Sequence, residues 1–422
     1  MMRKAILGCT SVYLNRPCGQ ILCQGFRNSH GHSIGLSAPA CSRFTHSHQG
    51  NSRSSDVISR HSNHLELAHE GESTMLNFFW LRDHCRCPSC WNAKTLQKNV
   101  RFQDINPNIS PAKFLIEGES LNVVWPDGHN SSYSLPWLFE NDPKRSLVSK
   151  VKKILWNGES YSSLKIERVK YNDFMNEEES MKIFLKNLAM YGFAFVDEVP
   201  ADLEHTQKVS ERVGPIQDTL FGKTWSFEAD GSRADTAYTN IALGAHTDMT
   251  YYQHTAGIQV FHCLYHDGKG GETLMEDAFY CATKLKESNP EAYDVLANTY
   301  VRHDYIEPSH GQHSQSLATI IQHHPLTKEI EQCRYNNYDR LTVNTIPHDQ
   351  IMKFYHSVKA LSDIVEDDTN VHYEKLWPGS VIFLDNWRVM HGRKAFTGKR
   401  IVGGNYLGRD TWTSRARALG VI

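Results

Sequence analysis

His246-Thr247-Asp248, joined far downstream by His391, supplies two imidazoles and one carboxylate. Such a set holds Fe(II) on one face and leaves the other positions open for a co-substrate and O2. The spacing of the first two has a physical reason. Residues i and i+2 of a strand point to the same side of a sheet, so a strand through His246 would let both bite one ion. His391 comes from elsewhere, at the end of the strand signal Pro378-Gly379-Ser380-Val381-Ile382-Phe383-Leu384-Asp385. With 23 His and 47 acidic residues in 422, an isolated His-x-Asp arises by chance. The surrounding sequence must decide.

A second group has different chemistry. Cys85, Cys87 and Cys90 place three thiols in one tight loop, and His129 can close a tetrahedral Cys3His site. A closed site of that kind holds structural Zn(2+), because no position is left for a substrate. Its expected role is to fold a small domain whose core is slight.

The elements that must position these residues belong to a chain long enough to bury a large core in one or two domains. The formal net charge of -2 gives no electrostatic case for nucleic acid or acidic membranes. No apolar run is long enough to span a bilayer. Residues 1–55 contain no Asp or Glu, while Arg3, Lys4, Arg16, Arg27, Arg43 and Arg53 are spread among Ser and His. That composition predicts a mitochondrial transit peptide and a matrix location. Cys9, Cys18, Cys23 and Cys41 would leave with it, and in a reduced compartment the remaining thiols favour metal over disulfides.

A small N-terminal domain is expected over residues 60–150, with a strand near Leu121–Trp125 and a turn at Pro126-Asp127-Gly128. A polar, Lys-rich connector runs from Asn141 to about Arg168. The main domain, residues 165–422, should hold helices over Ser180–Met190, Asp202–Val213, Ala282–Leu296 and Asp349–Ile364. In the last, Ile351, Phe354, Tyr355, Val358 and Leu361 mark an apolar face. Strands are expected at Phe193–Val196, around His246, at Gly257–Leu264 and Glu272–Asp277, and around Val381 and Tyr406. Mainly β with inserted helices predicts a double-stranded β-helix, the jelly-roll barrel.

Further motifs give a resemblance. Gly270-Gly271-Glu272-Thr273 follows the metal pair. Asp385-Asn386-Trp387-Arg388-Val389-Met390-His391-Gly392-Arg393 carries the third ligand, and Arg400 follows. Trp80-Leu81-Arg82-Asp83-His84-Cys85, Trp125-Pro126-Asp127-Gly128-His129, Asp235-Thr236-Ala237-Tyr238-Thr239 and Arg334-Tyr335-Asn336-Asn337-Tyr338-Asp339-Arg340 complete the set. In this order the motifs resemble the Fe(II)/2-oxoglutarate oxygenases similar to taurine dioxygenase, and more closely their γ-butyrobetaine dioxygenase family. The resemblance extends over everything after the leader.

The resemblance implies that 2-oxoglutarate fills two metal positions and that its far carboxylate meets a guanidinium, which bonds it bidentately. Arg400 is the carried-over residue, with the Thr273 hydroxyl in support and Arg393 as the nearby alternative. It also implies ascorbate as reductant and a homodimer. A quaternary ammonium has no N–H and is recognised on aromatic faces. The matching cage positions are Phe221, Trp225, Tyr238 and Tyr406, Phe221 standing where Tyr is usual. Asp235 stands where trimethyllysine hydroxylases carry Asp and butyrobetaine hydroxylases Asn, and a carboxylate suits the α-ammonium that only trimethyllysine has. Asn336 or Asn337 would meet the amino-acid end. The implied activity is C3 hydroxylation of free N6,N6,N6-trimethyllysine. The alternatives are γ-butyrobetaine hydroxylation and non-catalytic binding of betaine or methyl-lysine.

Overall fold

In the computed structural model of the protein, residues 57–146, 151–228 and 239–422 are described, so the basic leader lies outside the described residues. The chain forms two compact units that divide between Leu138 and Phe139.

The first unit carries two small antiparallel sheets. One is made of Val57–Arg60, His64–His69 and Glu72–Asn77, the other of Lys113–Glu117, Ser120–Val124 and Asn130–Ser134. Alternation decides the faces: Leu121 and Val123 are buried while their neighbours are more open. The Trp125 indole donates to the Ser131 hydroxyl at 2.9 Å, and the Tyr133 hydroxyl donates to the Leu81 carbonyl. These bonds satisfy the two polar atoms that large buried aromatics bring inside.

The second unit is built on two sheets. The larger has six strands in the order Trp225–Phe227, Arg400–Leu407, Ile258–His266, Val381–Asp385, Phe193–Asp197, Val169–Lys170, antiparallel except for the last pair. The smaller has four antiparallel strands in the order Leu243–His246, Val389–Arg393, Thr273–Asp277, His372–Glu374. The central strands Phe193–Asp197 and Val381–Asp385 of the larger sheet are apolar on both faces because both are covered. Val381 and Phe383 point outward, with Ala194, Val196, Ile258 and Val260, against helices Glu178–Tyr191, Leu203–Val213 and Arg409–Ala418. Ile382 and Leu384 point inward, with Phe193 and Phe195, and meet Met275 and Val389 of the smaller sheet. The outer face of the smaller sheet, at Met390, is covered by Ala278–Ser288, Pro290–Asn298 and His348–Val365.

Several local expectations are corrected. The helix expected over Ala282–Leu296 is two helices, because Asn289 caps the second and Pro290 cannot continue the first. Tyr355 is exposed, and the buried face of its helix turns instead through Phe354, Ser357, Val358, Leu361 and Ser362. The segment read as a polar connector is partly core. Trp156 is fully buried against Phe193, and its indole donates to the Tyr191 carbonyl at 2.8 Å. One buried Trp outweighs the exposed lysines Lys152 and Lys153 before it.

Arg388 ties these layers together. Its guanidinium bonds both carboxylate oxygens of Asp277, at 3.1 and 2.7 Å, and donates to the carbonyls of Met190 (2.9 Å) and Ile154 (2.5 Å). Both charged side chains are almost wholly buried. Removing one member of such a pair strands the other charge. Arg388→Met is therefore expected to lower unfolding stability by about 3–5 kcal/mol, measured by denaturant titration. A change below about 1 kcal/mol would contradict this account of the pair.

Candidate metal centre and substrate cavity

His246 is the last residue of its strand and lies directly across the ladder from His391. Asp248 is not on that strand. It sits two residues beyond, in a turn whose next residue, Met249, has φ of +58°. The i, i+2 argument for their convergence is therefore corrected, and long-range bonds do the aiming. Asn386 accepts from the Asp248 N–H at 2.8 Å and donates to the carbonyls of Asp248 (3.0 Å) and Ala256 (3.1 Å). Tyr335 and Thr247 exchange backbone and side-chain bonds across the same turn. The Tyr406 hydroxyl donates to Asp248 Oδ2 at 2.9 Å.

His391 also departs from expectation. It lies not at the end of the Val381–Asp385 strand but on the next one, Val389–Arg393, after the tight turn that contains Asn386. Asp248 Oδ1 is 3.3 Å from His246 Nε2 and 3.5 Å from His391 Nε2. One donor atom from each residue lies within 4.8 Å of the others. The Nδ1 of His246 is 2.9 Å from the Gly244 carbonyl. A proton on that nitrogen leaves the Nε2 lone pair for a metal. Burial works against an ionised Asp248, but the imidazoles of His391 and His246 hold its carboxyl well below the usual carboxylate range. The set fits a divalent ion that takes nitrogen and oxygen donors and keeps open positions.

The centre opens into a cavity between the two sheets. At one end, Thr273, Arg393 and Arg400 line it. Arg400 is buried, packs its side chain over Gly271, and forms no ion pair among the described residues. Burial lowers its pKa, yet a guanidinium stays charged near neutrality. Arg393 is engaged differently, donating to the carbonyls of Thr239 (2.5 Å) and Ile241 (3.4 Å).

The aromatic wall contains Phe221, Trp225 and Tyr406, with Trp225 and Tyr406 centroids 5.7 Å apart. Trp225 reaches this position because Gly404 opposes it. A Cβ there would lie 2.4 Å from the indole and 2.3 Å from the Val260 carbonyl. Asp235 and Tyr238 lie outside the described residues. Asn336 lines the cavity, whereas Asn337 is exposed and bonds Tyr335 and Arg340.

Sequence reasoning missed Tyr251, Tyr305 and Asp339, which also line the cavity. Tyr251 stacks on Tyr305 at 4.9 Å, and Tyr305 meets Phe221 edge-on at 5.9 Å. Tyr305 sits in a strand, Val301–Glu307, that belongs to neither main sheet, so no spacing from the metal motif points to it. Asp339 lies in the Arg334–Arg340 motif, two residues past Asn337.

In the first unit, His129 Nε2 lies 3.3, 3.6 and 3.5 Å from the sulfurs of Cys85, Cys87 and Cys90. The turn that delivers His129 has Gly128 at φ +81°, and Asp127 accepts from the His129 N–H. Arg82 donates to the Cys90 sulfur at 3.4 Å, which suits a thiolate. Four donors at these separations fit one tetrahedral ion. Cys263, Cys281 and Cys333 are buried free thiols.

Comparison with known proteins agrees in extent and kind. The model of the family "Taurine catabolism dioxygenase TauD, TfdA family" matches residues 158–405, and that of "Gamma-butyrobetaine hydroxylase-like, N-terminal" matches residues 57–139. "Trimethyllysine dioxygenase, mitochondrial" of Rattus norvegicus is 41% identical over 368 residues, covering 86% of this chain and 87% of the rat protein. The Homo sapiens protein of the same name is 40% identical, with the same coverage. "Gamma-butyrobetaine dioxygenase" of Homo sapiens is 26% identical, covering 84% of this chain and 93% of its own. With a family model matched over more than half its length and relatives at this identity along most of it, the chain belongs to the TauD, TfdA family and is an Fe(II)/2-oxoglutarate-dependent dioxygenase.

Proposed function

We propose that the protein hydroxylates free N6,N6,N6-trimethyllysine at C3 while 2-oxoglutarate is oxidatively decarboxylated to succinate and CO2. The observation that carries this reading is the convergence of His246, Asp248 and His391 on a cavity with a buried guanidinium at one end and an aromatic wall beside it. The higher identity to the trimethyllysine dioxygenases than to the butyrobetaine enzyme supports the choice of substrate.

Bound at the three side chains, Fe(II) supplies the redox chemistry that couples O2 and 2-oxoglutarate to oxidation of a C–H bond. The residues do the rest. Arg400 receives the far carboxylate of 2-oxoglutarate through charge-assisted bonds, with Thr273 as a second donor. Phe221, Trp225 and Tyr406 take the cationic substrate, and so, outside the described residues, do Tyr238 and Asp235. The trimethylammonium, with no N–H to donate, lies against the aromatic faces. Tyr406 serves twice, since its hydroxyl also orients Asp248. Binding in this enclosed space orients the reacting carbon and excludes water. Arg393 donates to the Thr239 and Ile241 carbonyls, which leaves Arg400 as the main partner of the co-substrate. Ascorbate keeps the iron reduced. The facing sheets correspond to a jelly-roll barrel, the matrix is the site of action, and a homodimer is the expected assembly.

The first unit holds structural zinc at Cys85, Cys87, Cys90 and His129. Its small core depends on it, because metal binding to such sites is itself folding free energy. A strong chelator is expected to release about one zinc per chain and to lower the temperature at which this unit unfolds, read by calorimetry. Stable metal-free protein with an unchanged transition would argue for free thiols.

The substrate assignment is tested by giving purified enzyme trimethyllysine and γ-butyrobetaine in competition and identifying the hydroxylated product by mass spectrometry. Hydroxytrimethyllysine should predominate. Predominant hydroxybutyrobetaine would overturn the assignment, and no hydroxylation of either would favour a binding protein.

A further inference from the structure

We infer that Tyr305, carried by a hairpin outside both main sheets, is a further face of the pocket for the trimethylammonium, with Tyr251 as the residue that positions it. The inference rests on the trimethyllysine reading above and deepens it. Both tyrosines line the cavity together with Phe221, Trp225 and Tyr406.

A quaternary ammonium spreads its charge over its methyl groups, so aromatic faces from several directions can attract it. Trp225 and Tyr406 come from one direction, because they stand on neighbouring strands of the larger sheet. Tyr305 comes from a separate element. Its strand, Val301–Glu307, pairs along its whole length with Gln312–Ala318 and belongs to neither main sheet. Alternation turns Val301, His303, Tyr305 and Glu307 to one face, which is the more buried one. Tyr305 meets Phe221 edge-on at 5.9 Å, and all five rings belong to one apolar cluster. The hairpin thus brings to the cavity an aromatic ring that the main sheets do not supply.

Tyr305 is held at both ends. Tyr251 stacks on its ring, with centroids 4.9 Å and planes 28° apart. Tyr251 is itself buried, and the peptides that flank it are clamped. Arg334 Nη2 donates to the carbonyls of Thr250 and Tyr252, each at 2.5 Å. Ser316, on the second strand of the hairpin, donates to the same Thr250 carbonyl at 2.5 Å and accepts from Arg334 at 3.1 Å. One buried guanidinium therefore joins the hairpin to the segment that follows Asp248. Beyond the ring, the Tyr305 hydroxyl donates to Glu307 Oε2 at 3.3 Å. Hydrogen bonds polarise the groups they join. A phenol that donates to a carboxylate has a more electron-rich ring, which strengthens its attraction for a cation. A role in packing alone would treat a charged and an uncharged ligand of one shape alike.

The test compares trimethyllysine with its neutral carbon isostere, 2-amino-7,7-dimethyloctanoate, which keeps the shape and length but has a quaternary carbon in place of the nitrogen. Tyr305→Leu keeps an apolar side chain and removes the aromatic face. It should raise the KM for trimethyllysine about 3- to 30-fold, while the inhibition constant of the isostere and the KM for 2-oxoglutarate stay within about twofold. Tyr305→Phe keeps the face and should stay within about threefold of wild type. Tyr251→Leu should move the ratio of trimethyllysine to isostere in the same direction by a smaller factor, as a positioning residue does. An equal loss for both ligands in Tyr305→Leu would mean a packing role and would overturn the proposal, as would an unchanged KM for trimethyllysine. Wild-type enzyme that binds trimethyllysine without hydroxylating it would defeat the substrate reading, and the same ratio taken from dissociation constants would still decide the role of Tyr305.

Discussion

Asp248→Ala is expected to abolish trimethyllysine-dependent succinate release, with a loss of roughly 10^3-fold or more. Changes just outside a metal's ligands cost about 10- to 100-fold, and removing the single carboxylate among three ligands must exceed that. The variant leaves two buried imidazoles without the anion that faces both. Asn386→Ala sets the scale for comparison. It removes the side chain that holds the Asp248 turn from both directions but leaves all three donors, so it should fall in the 10- to 100-fold range. Circular dichroism and metal content after reconstitution separate loss of iron from loss of fold. Equal losses in the two variants would show that the turn, rather than the carboxylate, is what matters.

The second large effect concerns Arg400. Truncating one partner of a buried charge pair costs about 2–5 kcal/mol. Arg400→Met should therefore raise the KM for 2-oxoglutarate roughly 30-fold to several thousand-fold, while the KM for trimethyllysine changes little. Arg393→Met should have the smaller effect on 2-oxoglutarate, because that guanidinium already bonds the Thr239 and Ile241 carbonyls. The reverse ranking in a kinetic titration would exchange the roles of the two arginines.

How much of this was legible in the sequence depends on the range of the forces involved. Four strands of the larger sheet were, because they are local runs of β-branched and aromatic residues bounded by turn residues, as at Phe193–Asp197 and Val381–Asp385, whereas the short edge strands Trp225–Phe227 and Val169–Lys170 were not. Helix ends were legible where a cap marks them. Asp202 accepts from the His205 N–H, and Gly192 takes φ +83° after Tyr191. The break at Asn289-Pro290 carries the same kind of signal, a capping Asn followed by Pro. The family was legible from motif order. The aiming of the metal set was not. A strand argument brought His246 and Asp248 together for the wrong reason, since Asp248 is held by Asn386 and Tyr406, both more than 130 residues away. Trp156 was hidden by its Lys-rich surroundings, and Tyr305 by a strand outside both main sheets. No local rule encodes such contacts, because tertiary packing selects them.

The most direct measurement is succinate formation by the purified enzyme, followed together with hydroxylated trimethyllysine, as Fe(II) and trimethyllysine are each added and withheld. The account predicts that both products appear in equal amounts and only when both are present. Hydroxylation that persists at full rate after rigorous removal of Fe(II), or succinate release indifferent to trimethyllysine and unaccompanied by its hydroxylation, would contradict it.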